Sequence, residues 1–93
     1  MGTMNFLPEL RKFLLARGEI YTVRKYRMPE IDVSVSGVGI CTRTRLGRIS
    51  NKAQLEQFVT LSGFATVDDW WAKILHFIPN EADPKYIYRI VRK

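Results

Sequence analysis

The chain of 93 residues carries 15 Lys and Arg against 9 Asp and Glu, a formal net charge of +6 with a pI near 9.8. That length suits one domain, and 46% hydrophobic with 26% charged residues describes a folded core, not a disordered tail. Its lone Cys41 excludes an intrachain disulfide, and no Cys/His cluster is spaced to hold structural zinc. Charges interrupt every apolar stretch long enough to span a bilayer, and Met1–Leu7 lacks the form of a secretory signal. The reading is therefore a cytoplasmic protein without membrane contact, metal or cofactor.

In chain order, Met1 and Met4 are two candidate starts, so residues 1–3 read as a disordered or appended leader. Pro8 suits a first helical position, Leu10, Phe13 and Leu14 make an apolar stripe, and Gly18 closes a helix over 8–17. Ile20–Tyr26 is β-branched or aromatic at most positions and predicts a strand. Alternation sets Tyr21, Val23 and Lys25 on one side and Ile20, Thr22, Arg24 and Tyr26 on the other. After a turn at Met28-Pro29-Glu30, a second strand runs from Ile31 to Val35 with Ile31, Val33 and Val35 facing inward. A third follows Ser36-Gly37, from about Val38 to Leu46, with Gly39 and Gly47 as candidate bulges.

Asn51 with Gln54 forms a capping-box pattern ahead of Leu55, Phe58 and Val59 and predicts a helix ending near Gly63. Thr66 and Asp69 open another, with Trp70, Ile74 and Phe77 as its apolar stripe and Pro79 closing it. Tyr86–Val91 is a final strand. The expected fold is α+β, a small curved or closed barrel-like sheet with flanking helices in the order α-β-β-β-α-α-β. Its core is expected to include Leu10, Phe13, Leu14, Val33, Val35, Phe58, Phe64, Trp70, Ile74 and Phe77.

Charge is separated along the chain. Residues 1–49 carry a net +5, residues 50–84 a net −3, and residues 85–93 a net +4. A basic first half and tail, if joined in space, steer an anionic partner. Arg24, Lys25 and Arg27 form one basic run and Arg43, Arg45 and Arg48 another, with Arg89 on the last strand. Arg43 and Arg45 share a strand face, about 7 Å apart, a spacing suited to phosphates along a backbone. Tyr21 and Tyr26 interleave with these cations as candidate stacking platforms for unpaired bases, and Tyr86 and Tyr88 offer the same on the last strand. Trp70 and Trp71 are expected in the core, one of them partly exposed. His76 reads as a surface residue and Cys41 as a buried hydrophobe.

Three segments together resemble the ASCH domain, a PUA-like β-barrel family. They are Gly18-Glu19-Ile20-Tyr21-Thr22-Val23-Arg24 after the first helix, Ser62-Gly63-Phe64 with Asp68-Asp69-Trp70, and Tyr86-Ile87-Tyr88-Arg89-Ile90. The resemblance implies a PUA-like fold over the whole chain. Some members deacetylate acetylated cytidine with a Lys, a Thr and a Glu. Thr22 matches that threonine, whereas Glu19 and Ser62 stand where the lysine and glutamate belong. The family's Gly-Asp-x-Val element is replaced by Pro29-Glu30-Ile31-Asp32-Val33.

The expectation is thus a module binding RNA or single-stranded nucleic acid through a basic sheet face of Arg24, Lys25, Arg27, Arg43, Arg45, Arg48, Tyr21, Tyr26 and Arg89. Thr22 is the one candidate for catalysis, as a nucleophile needing a base beside it. A small amidohydrolase on a modified nucleoside and a protein-interaction module are the alternatives. Oligomeric state is left open, a monomer being one option.

Overall fold

Local signals set most of the element boundaries in the computed structural model, which describes residues 2–93. Helix α1, Pro8–Arg17, ends where Gly18 turns to φ 80° and its N–H donates to the Leu14 carbonyl at 2.8 Å. Strand β2, Glu19–Arg24, follows at once, then β3, Asp32–Val35, and β4, Gly39–Arg48. Helix α2, Val67–Phe77, starts at Thr66, whose Oγ1 accepts the Asp69 N–H at 3.1 Å. The last strand, β5, spans Tyr86–Arg92.

Two elements depart from the expected order. Gly2–Met4 form a strand, β1, parallel to β3, and Met4 is buried beside Val33 and Val35. The disordered leader is therefore corrected for Gly2 and Thr3; Met1 lies outside the described residues. No turn adjoins β1 to its partner, so nothing local marks it. The second departure is Lys52–Leu61, a 3₁₀ segment and not an α-helix. Its capping box forms as expected, with the Gln54 N–H donating to Asn51 Oδ1 and the Asn51 N–H to Gln54 Oε1. Leu55, Phe58 and Leu61 recur every third residue, the period at which 3₁₀ side chains eclipse on one side. Leu55 and Phe58 alone fit either helix.

The strands form one five-stranded mixed sheet in the order β1-β3-β4-β5-β2. All pairs are antiparallel except β1 with β3, and the sheet is not closed into a barrel. A bulge falls between Arg45 and Gly47, at one of the glycines so expected. Both faces are covered. On one, Ile20, Val33, Val35, Cys41, Tyr88 and Ile90 pack with Leu14 of α1. On the other, Tyr21, Val23 and Ile87 meet Leu55 of the 3₁₀ segment and Trp70, Ile74 and Ile78. Gly63, at φ 85° between the 3₁₀ segment and α2, joins the layers closely; a Cβ there would lie 2.6 Å from Leu10 Cδ2.

Expected core positions Leu14, Val33, Val35, Trp70 and Ile74 are buried, and Leu10, Phe13, Phe58 and Phe64 pack partly against the two cores. Phe77 is corrected: it is 60% exposed, at the end of α2 beyond the sheet's cover. Ile31 is also exposed, because β3 begins one residue later. Among the described residues, no helix is long and apolar enough to cross a membrane.

Candidate functional site

Sheet pleat decides where each arginine goes. On β2, β5 and β4 the register pairs Arg24 with Tyr86 and Tyr86 with Arg48, Thr22 with Tyr88 and Tyr88 with Arg45, and Ile20 with Ile90 and Ile90 with Arg43. Arg24, Arg43 and Arg45 consequently project from the α1-side face, as alternation requires. Around Arg43 that face is packed, so the expectation that Arg43 presents its guanidinium on an open basic sheet face is corrected. Arg43 is 5% exposed; its Nε donates to the Pro29 carbonyl at 3.0 Å and its Nη1 meets Met28 Sδ at 3.5 Å. Arg45 Nη1 donates to the Met28 carbonyl at 3.1 Å. Tyr88 is wholly buried; its hydroxyl donates to the Tyr26 carbonyl at 2.6 Å and accepts the Met28 N–H at 2.6 Å. These three side chains clamp the loop between β2 and β3. One donor of each of these arginines, which were expected to track phosphates, is turned to a backbone carbonyl.

Arg24 meets a different environment. Its Nε donates to Thr22 Oγ1 at 3.2 Å, its Nη2 to the Asn5 carbonyl at 2.9 Å, and its guanidinium lies 4.9 Å from the Phe6 ring centroid. These contacts reach from edge strand β2 to the chain leaving the opposite edge, β1. Burial first, and the nearby Arg43 charge second, push the Arg24 guanidinium below its ordinary pKa. Among the described residues no carboxylate forms an ion pair with Arg24, Arg43 or Arg45.

Arg24 and Thr22 border a cleft of about 670 Å³, between α2 and the connection from β1 to α1. The volume is in the usual range for small-molecule sites. Phe6, Phe64, Trp70, Phe77 and Tyr26 supply aromatic surface, and Arg24, Lys25 and Lys73 supply the charge. No carboxylate or imidazole lines it among the described residues. Phe64 and Trp70 stack at 6.5 Å, while Tyr26 and Phe77 are 68% and 60% exposed. Lys25 pairs with Asp83 at 3.3 Å.

The cleft thus gathers Thr22, Arg24, Lys25 and Tyr26 from the expected site residues. Arg27 is exposed on the clamped loop, and Arg48 is exposed beside the Tyr86 ring at 5.9 Å. Tyr21 is corrected as a stacking platform, because it faces the 3₁₀ segment with its ring 4.9 Å from that of Phe58. Arg89 is on that same face of β5 and pairs with Glu19 at 3.3 Å. Trp70 is buried and Trp71 half-buried.

Thr22 is itself buried, with its oxygen accepting from a guanidinium. A cation holding that oxygen favours an alkoxide, yet none of the residues lining the cleft is an acid or imidazole that would take the proton. Ser62 is a turn staple: its Oγ donates to the Val59 carbonyl at 2.7 Å and accepts the Phe64 N–H at 3.0 Å. Sequence reasoning missed Lys73, Phe6 and Phe64 as cleft residues. Lys73 sits between two residues of an apolar helical stripe, and only the tertiary fold brings it to the cleft. Among the described residues, no group of three or more His, Cys, Asp or Glu is placed to hold a metal ion.

No protein-family model, curated protein or solved structure matches this chain.

Proposed function

We propose that this protein is a binding module for RNA or other single-stranded nucleic acid, and that its site is the cleft beside Arg24. The observation that carries the reading is a cleft with aromatic walls, three cations and no acid among its lining residues. Unpaired bases gain about 1–3 kcal/mol each by stacking on aromatic rings, and cations beside those rings hold the phosphates. Exposed Tyr26 and Phe77 are the stacking surfaces, with Arg24 and Lys73 the phosphate contacts. Kinship with ASCH-type PUA-like domains is part of the proposal. It is supported by the α1–Gly18–β2 junction that carries Thr22, the Asp68-Asp69-Trp70 helix start and the closing strand β5. A cytoplasmic setting suits the free, buried Cys41.

Fluorescence anisotropy with a labelled single-stranded oligonucleotide at several salt concentrations tests it. Binding should weaken with salt, with a log–log slope of about −0.7 per phosphate neutralised, and a duplex should bind less well. Phe77→Ala with Tyr26→Ala should weaken binding about tenfold or more at unchanged slope. Absence of binding at low salt would reject the reading.

The amidohydrolase reading keeps one favourable observation: Thr22, the residue matching the family's threonine, lies in the wall of this cleft. Release of acetate from acetylated cytidine that disappears in Thr22→Val would establish it.

A further inference from the structure

Resting on the nucleic-acid reading, we propose that the cleft is built for a terminal phosphomonoester, so that the module prefers the phosphorylated end of a strand to an internal segment. The first argument is the charge balance. Lys25 is answered by Asp83, and Glu9 shares a smaller adjoining hollow with Lys73, but among the described residues neither Arg24 nor Lys73 forms an ion pair and no carboxylate lines the cleft itself. Arg43 adds positive potential behind Arg24, enough to help depress the Arg24 pKa. Two uncompensated cations, one of them half-buried, exceed what the single charge of an internal phosphodiester neutralises. A phosphomonoester carries about −1.5 to −2 near neutral pH and three strong acceptor oxygens.

The second argument is the donor geometry. Two hydrogen bonds and the Phe6 ring fix the Arg24 guanidinium, and its Nη1 has no acceptor among the described residues. A guanidinium held in place this way offers its Nη1 donors to a phosphate with little ordering left to do. Thr22 Oγ1 already accepts from Arg24, so its own proton is left to donate to a second phosphate oxygen. Arg43 and Arg45, by contrast, spend donors on loop carbonyls. The phosphate seat is therefore one point, not a track along the sheet.

The test compares one short labelled RNA bearing a 5′-phosphate, a 3′-phosphate or neither, by anisotropy on the intact protein. One phosphorylated form should bind about tenfold tighter than the unphosphorylated strand, and which one it is distinguishes the two ends. That advantage should shrink as pH falls through about 6, where the monoester takes up its second proton. It should also disappear in Lys73→Gln, at an exposed helical position, and in Arg24→Gln if that variant melts like the parent. Lys12→Ala, at an exposed position of α1 outside the cleft, should retain it. If the strands all bind with one affinity, the terminal-phosphate inference is wrong while nucleic-acid binding stands. If none binds, both fail.

Discussion

The clamped loop between β2 and β3 and the cleft beside it use the same residue type for different ends. Both regions draw arginines from the α1-side face of the sheet, and neither region supplies those arginines with a carboxylate partner. In the loop, the carbonyls of Met28 and Pro29 and the thioether of Met28 surround Arg43 and Arg45. In the cleft, Arg24 donates to one hydroxyl and one carbonyl and also lines the open volume. A buried cation is tolerable once it is hydrogen-bonded, and one that also lines a cleft is placed to meet a ligand. Position in the sheet separates the two functions. The β4 arginines lie under a loop, whereas Arg24 lies on an edge strand beside a gap.

The comparison breaks most readily at the clamp. Arg43→Ala combined with Arg45→Ala should cost on the order of 3 kcal/mol, because hydrogen bonds from charged donors and the packing of the buried Arg43 side chain are lost. Urea unfolding reads this directly, and a midpoint equal to the parent's would mean that the loop does not depend on the arginines. Tyr88→Phe leaves the ring and removes the hydroxyl that joins Tyr26 to Met28. It should cost about 1–3 kcal/mol, and protection of the Met28 amide from hydrogen exchange should fall with it. Arg24→Gln should show the opposite balance, with binding to a single strand weakened about tenfold and the melting temperature changed less than in either clamp variant. Equal loss of stability in Arg24→Gln and the clamp variants would erase the distinction.

The smallest effect concerns Cys41. Burial raises its thiol pKa above the ordinary 9.0, and the Arg92 charge opposes that only in part. With a raised folded-state pKa, the contribution to stability is fully present below 9.0 and is lost as pH rises through the folded value. Stability should therefore not fall on this account between neutral pH and about 9, with the loss starting above it. Thiol reagents should label the unfolded chain much faster than the native one, and equal rates would contradict the burial of Cys41.

Several features were legible because they are written in adjacent residues. Gly18 ends α1, Asn51 with Gln54 and Thr66 with Asp69 cap the next two helical elements, and β2 alternates as read. The pleat also fixed that Arg43 and Arg45 share a face, and that Thr22 and Arg24 share one. Strand β1 escaped because its partner β3 is distant and parallel, with no hairpin turn to announce it. The 3₁₀ period escaped because its signal rests on Leu61 beyond the two residues common to both helix types.

Which face of a strand meets water is another matter. Alternation says which residues go together, but not whether a helix or a loop will cover them. Arg43 and Arg45 became clamps because the β2–β3 loop folds over them, and Tyr21 became core because the 3₁₀ segment packs on its ring. The cleft joins Phe6, Arg24 and the α2 pair Lys73 and Phe77 from three parts of the chain. By itself, the sequence determined the helix ends, the strand pairing faces and the excess of cations. Only tertiary structure decided which cations lie under a loop and which line a cleft, because that depends on contacts between residues far apart in the chain.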